Sequence, residues 1–209
     1  TRPHRQGAYP GTCRGLSARE RGRRERAGPA AAWRLDAGAQ RVRFVDVIAG
    51  ATESVVDDFV LWRGDPATRG DGGLPAYNLA VVVDDSDQGV GEVVRGDDLL
   101  ETTPRQILLA RLLGLDVPRY AHVPLVLGAD GKRLAKRATA SRGAGPPSRG
   151  VTLADRLALG ETVEQVIGWM ASSAGLATPG RATGAQQVLA TFDPASLRRE
   201  PTVLGETEL

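Results

Sequence analysis

"HVPLVLGADGKRLAKRA", residues 122–138, begins as an apolar run, breaks at Gly-Ala-Asp-Gly, and continues as a basic segment. The alternation before the break predicts a strand, Ala-Asp-Gly a turn, and the remainder extended chain. Both lysines of the chain, Lys132 and Lys136, lie here, while 25 arginines supply the other basic side chains. By spacing alone a solvated basic hairpin is the simpler reading. The chemical reading is a loop that clamps phosphate. Lysine is a compact point charge on a flexible stem and follows a phosphate as charge moves, whereas the planar arginine fork is a poor substitute.

Upstream, "TTPRQILLARLLG" (102–114) predicts a helix. Thr102 or Thr103 caps it, Pro104 suits its first turn, Ile107, Leu108, Leu112 and Leu113 form the apolar stripe, and Gly114 ends it. "GVGEVVRGDDLL" (89–100) reads as a short strand leaving through Gly96, and "PAYNLAVVVDD" (75–85) as a buried strand closed by Asp84 and Asp85. Strand-end acids commonly cap the following turn, so this pair receives no catalytic role. "DPATRGDGG" (65–73) is a turn-rich loop. "WRLDA" (33–37), "VRFVDVIAG" (42–50) and "SVVDDFVLWRG" (54–64) alternate like strands. "GLSARERGRRERAG" (15–28) predicts one short exposed helix from Ser17.

Downstream, "ATASRGAGPPSRG" (138–150) is a flexible loop. "TLADRLALG" and "TVEQVIGWMASSAG" predict two helices with a glycine break, and "GAQQVLATF" a third. Mixed strands followed by helices give an α/β piece ending in a small helical subdomain. The boundaries are a 1–32 connective remnant, a 33–137 catalytic portion, the 138–150 loop, and a 151–209 helical part.

The 209 residues suffice for a sizeable core, and no run of eighteen apolar residues exists to cross a membrane. The single cysteine, Cys13, excludes an internal disulfide and fits a reducing, cytoplasmic setting. The formal net charge of +2 is uneven. Residues 1–45 hold eleven arginines against three acids, while residues 46–116 hold five against fourteen. A basic lobe beside an acidic one is compatible with a polyanion docking at one end, although arginine richness alone can reflect genome composition. The chain starts at Thr1 and its only methionine is Met170, so it reads as a piece lacking its front.

Taken in order, "PAYNLAVVVDD", "EVVRGDDLL", the Thr-Pro-Arg-Gln helix and "HVPLVLGADGKRLAKR" resemble the class I glutamyl-tRNA synthetase catalytic domain, from about Tyr9 to about Trp169. The resemblance implies the C-terminal half of a Rossmann-type catalytic domain. Arg133, Leu134, Ala135, Lys136 and Arg137 stand in place of the family's KMSKS signature loop, with Ala135 where serine is usual. It implies that Lys136 binds ATP phosphate and stabilises the pentacoordinate state, and that Tyr77 and Arg95 hold the glutamate substrate. An ordinary buried tyrosine, and an arginine paired with Asp97 or Asp98, are the plainer readings of these two. His122 lies near the nucleotide or serves packing. The loop at 65–73 is longer than the family's link into the Tyr77 segment.

About 72 residues follow the lysine loop, too few for a large anticodon-binding region. Tyr9 and Cys13, four residues apart in "AYPGTCRGLS", resemble the second half of a zinc site whose other ligands form a Cys-x-Cys pair. Both features resemble the short branch of the family. That branch activates glutamate with ATP and Mg²⁺ without needing tRNA, then transfers it to queuosine in the anticodon of tRNA(Asp). The expected partners are therefore glutamate, ATP and queuosine-bearing tRNA(Asp), with an incomplete Zn²⁺ site, no membrane, and a monomer. The alternatives are a truncated glutamyl-tRNA synthetase and a non-catalytic RNA-binding fragment.

Overall fold

A computed structural model of the chain describes residues 9–28, 31–64, 73–128, 131, 133 and 153–203. The strands are β1 (Trp33–Leu35), β2 (Arg41–Asp46), β3 (Gly50–Val55), β4 (Phe59–Gly64), β5 (Gly73–Pro75), β6 (Glu92–Gly96), β7 (Arg119–Val123), β8 (Val126–Leu127) and β9 (Thr202–Val203). The helices are α1 (Ala18–Ala27), α2 (Tyr77–Asp87), α3 (Thr103–Leu113), α4 (Leu153–Ala158), α5 (Val163–Ser173) and α6 (Ala185–Ala190). This is the expected α/β pattern. Contacts divide it into two compact units, residues 1–46, 50–93 and 99–120, and residues 47–49, 94–98 and 121–209.

In the first unit β1, β4 and β5 form an antiparallel sheet in the order β1-β4-β5. A second sheet runs β3-β2-β7-β6. Within it β2 and β3 pair antiparallel from Arg41↔Val55 to Asp46↔Gly50, and β2 meets β7 in parallel at Asp46↔Tyr120. The core gathers Ala37, Val42, Val56, Phe59, Val82, Tyr120 and the run Ile107 to Ala110 of α3.

Helix α3 follows its sequence signals. Pro104 sits in its first turn, and Gly114 closes it at φ 70°, a left-handed conformation that costs glycine little. The stripe is shifted, however. Leu109 and Ala110 are buried, while Leu112 and Leu113 are 56% and 47% exposed. The first two turns are covered nearly all round, so burial there does not follow one stripe.

The expected strand at 75–85 is a helix. Residues Tyr77–Asp87 form α2 after Ala76, and Asp84 and Asp85 lie within it, not at a strand end. A continuous apolar run does not separate a covered helix from a buried strand. The exposed positions, Tyr77, Asp84 and Asp87, recur at helical spacing. Val82 packs into the core, and Gln106 Nε2 of α3 donates to Asn78 Oδ1 at 3.1 Å. Likewise, "SVVDDFVLWRG" is not one strand. It contains the end of β3, a turn at residues 56–58, and β4. The turn carries the ion pairs Asp58–Arg14 and Asp57–Arg105, and Asp58 Oδ1 accepts the Ala37 amide at 3.1 Å.

In the second unit α4, α5 and α6 match the three expected helices, and Gly160 turns the chain at φ 90°. Thr162 and Gln165 form a reciprocal cap at the start of α5. Gly168 is needed there, because a β-carbon would collide with the Arg181 carbonyl. The Arg156 guanidinium lies 3.9 Å from the Trp169 ring centre and donates to Glu161 at 3.0 Å. Strand β9 pairs in parallel with β8, through Val126↔Thr202 and Leu127↔Val203. Thr202 also donates its amide to the Leu125 carbonyl and its hydroxyl to the Ser173 carbonyl.

Candidate functional site

Lys132, Leu134, Ala135, Lys136 and Arg137 lie outside the described residues, so the lysine loop is seen through its base. The turn is in its expected place. Gly131 donates its amide to the Gly128 carbonyl at 2.8 Å and takes φ 70°, and Leu127 bridges Arg133 antiparallel. The strand before the break thus turns back on itself at the start of the motif.

Arg133, the first residue of the motif, forms an ion pair with Asp98. Asp98 follows β6, three residues after Arg95. Gly96 lies between them without a side chain, and a β-carbon there would stand 2.7 Å from Asp98 Oδ1 and 3.0 Å from Leu125 Cδ2. The sequence weighed Asp98 only as a partner for Arg95. Its observed partner is Arg133, and the Gly96 spacing was the available signal.

Arg95 has a different partner. Its Nε donates to Nε2 of His122 at 3.1 Å, and His122 is 2% exposed in β7. The bond fixes the plane of the guanidinium. The segment Arg95–Asp98 therefore holds an oriented arginine at one end and the first residue of the lysine motif at the other.

Tyr77 belongs to the first unit, where it is the first residue of α2 and is 56% exposed. It is neither buried nor at a strand end. The first unit also has a cleft of about 170 Å³ lined by residues that include Val82, Asp85, Gln106, Asp116 and Tyr120. None of its lining residues is basic, so it offers no cation to a carboxylate or phosphate.

Tyr9 and Cys13 do come together. The Cys13 amide donates to Tyr9 Oη at 2.7 Å across a turn, and the Arg34 guanidinium lies 4.3 Å from the Tyr9 ring centre. Burial first, then the hydrogen bond with the Cys13 side chain, holds the Tyr9 hydroxyl above its ordinary pKa. The phenol is therefore neutral, and a metal would have to displace its proton. Zinc takes deprotonated ligands, usually four in a tetrahedron, and these two residues offer one thiol and one protonated phenol. Among the described residues no group of three or more His, Cys, Asp or Glu side chains is placed to hold a metal, and no helix is long and apolar enough to cross a membrane.

Residues 2–143 match the family model for class I tRNA synthetases (E and Q), catalytic domain. The chain is 52% identical to the Glutamyl-Q tRNA(Asp) synthetase of Nocardia farcinica, over all of this chain and 61% of that one. It is 43% identical to the protein of the same name from Symbiobacterium thermophilum, over 93% of this chain and 56% of that one. It thus spans little more than half the length of these curated relatives. Among solved structures it superposes on a glutamate tRNA ligase from Elizabethkingia meningosepticum with a TM-score of 0.65 and 22% identity, covering 94% of this chain and 40% of that one. The glutamate-tRNA synthetase of Elizabethkingia anophelis gives 0.66 and 23%, with 94% and 41% covered. These two likenesses show the fold.

Proposed function

The chain belongs to the class I tRNA synthetases of the glutamate and glutamine type, and on that premise we propose that it activates glutamate with ATP and transfers it to queuosine in the anticodon of tRNA(Asp). In the first step a glutamate carboxylate oxygen attacks the α-phosphorus of ATP. The bond to the bridging oxygen breaks, and pyrophosphate leaves with its electron pair. In the second, a hydroxyl of the queuosine base attacks the acyl carbon and AMP departs.

The observation that supports this reading is the Arg95–Asp98 segment. Adenylation needs the amino-acid carboxylate and the phosphates held side by side. Arg95, oriented by His122, suits a bidentate carboxylate, and Arg133 on Asp98 anchors the loop that carries Lys136. Tyr77 contributes to the glutamate side. Lys136 follows the triphosphate and stabilises the charge that builds on it, with Mg²⁺ accompanying ATP as part of the substrate. Tyr9 and Cys13 provide two ligands for a structural zinc, and two further soft donors are needed to complete its tetrahedron. The enzyme acts in the cytoplasm, consistent with a single free thiol, and as a monomer.

Glutamate-driven pyrophosphate exchange by the intact gene product, without tRNA, tests the first step. Lys136→Ala should abolish most exchange while leaving the fold, and Arg95→Ala should raise the KM for glutamate far more than that for ATP. Transfer of labelled glutamate to queuosine-containing tRNA(Asp), and not to tRNA(Glu), tests the second. Charging of tRNA(Glu) would instead identify a glutamyl-tRNA synthetase.

A further inference from the structure

Helix α1, "ARERGRRERA", contains no buried residue. Five of its ten residues are arginine: Arg19, Arg21, Arg23, Arg24 and Arg26. None of the five makes an ion pair among the described residues, whereas Arg14, Arg41, Arg43, Arg105, Arg119 and Arg133 each face a carboxylate. A ten-residue helix that is polar all round has no packing to hold it and is marginal in water. This one is nevertheless fully capped. Ser17 and Glu20 satisfy each other's backbone amides, and Gly28 donates back to the Arg24 carbonyl. At 3.6 residues per turn, Arg19, Arg23 and Arg26 fall on one face, along about 10 Å of helix.

We infer that α1 docks on the phosphate backbone of a double-helical RNA stem, with Arg19, Arg23 and Arg26 as the contact row. Three features of the helix select that partner. It has no apolar face, which an interfacial membrane helix requires. It has no aromatic side chain on which an unstacked base could lie, so it suits a paired stem rather than a single strand. Arg19, Arg23 and Arg26 make no ion pair among the described residues, so phosphate contact does not have to break an existing bridge there. Only the choice of RNA among polyanions rests on the synthetase reading above. Contacts of this kind position the protein without reading sequence. The turn formed by Tyr9 and Cys13 lies immediately before α1 and gives the helix a fixed root.

The test uses the intact gene product and an unmodified RNA hairpin with one helical turn of stem, followed by fluorescence anisotropy across a salt series. The triple variant Arg19→Gln, Arg23→Gln, Arg26→Gln should weaken binding roughly 10- to 100-fold at low salt and lower the salt slope by about three. Glutamine is a good helix former, so far-ultraviolet circular dichroism should not change. The matching triple lysine variant should keep the slope. An unchanged slope in the glutamine variant overturns the proposal, as does equal loss in the lysine variant. Equally tight, arginine-dependent binding to phosphatidylserine vesicles also overturns it. Pyrophosphate exchange is read in parallel and should be unaffected by the substitutions. Absence of exchange in the parent protein would count against the enzyme reading and leave the RNA result to decide α1.

Discussion

Helices α1 and α3 have similar lengths and opposite supports. Helix α3 buries seven of its eleven residues, with Ile107 fully inaccessible, and its single paired arginine, Arg105, reaches Asp57. Helix α1 buries none and depends on its ends. One is held by what surrounds it, the other by its own caps. A residue's contribution in α3 is therefore global, because the core is shared. In α1 it is local, because little else depends on the helix persisting. The difference also separates tasks. The helix that builds the fold has buried its apolar side chains, and the helix that builds nothing has kept its charges available.

The largest expected effect lies in α3. Ile107→Ala should cost about 2–5 kcal/mol of global stability, read from the urea midpoint, because the cavity opens in the middle of the core. A loss below about 1 kcal/mol would mean that α3 is no better supported than α1. Ser17→Ala removes the cap of α1 and should cost about 1 kcal/mol of local helix stability. Hydrogen exchange at the Arg21 amide, which donates to the Ser17 carbonyl, should accelerate while the urea midpoint stays in place. A shifted midpoint would show that α1 is coupled to the core after all.

Acid should act on the same cap. Glu20 is held below its ordinary 4.5, first by the Ser17 hydroxyl and then by the Ser17 amide. A carboxylate lowered on folding stabilises the helix at pH above its unfolded value. That contribution is lost as pH falls through the folded value. Protection of the α1 amides should therefore be constant above about pH 5 and fall below 4.5, before any loss of α3. The smallest effect is a gain. Gly22 is not in a left-handed conformation, and the nearest atom to an added β-carbon is Arg26 Nη1 at 3.3 Å, the movable end of a side chain. Gly22→Ala should strengthen α1 by roughly 0.5–1 kcal/mol, again seen only in local exchange.

The sequence was most legible where local signals agreed. Pro104 and Gly114 mark the ends of α3 through their own backbone chemistry, and the helices expected from Ser17 and over 162–175 are in place as well. It was least legible where covering by neighbours decided the outcome. The valines at 81–83 favour a strand in isolation, yet α3 and β4 pack against the segment as a helix. The same cause shifts burial from Leu112 and Leu113 to Leu109 and Ala110. In the candidate site, Arg95 was found from its motif, but its partner was not. His122 lies 27 positions away, and nothing in either residue's neighbourhood announces the pairing. Tyr9 and Cys13 were paired by the family resemblance, and a turn brings the Cys13 amide to the Tyr9 hydroxyl.

The short strand β9 has a consequence in time. Its residues, Thr202 and Val203, each lie 76 positions beyond the residue they pair with, and that strand leads directly into the lysine turn. During synthesis β8 emerges long before its partner. The footing of the loop is therefore assembled only after the three helices between have left the ribosome. A chain broken off before residue 202 would carry every residue of the motif and still lack the strand that pairs with β8, so the footing of the loop depends on chain made well after the loop itself.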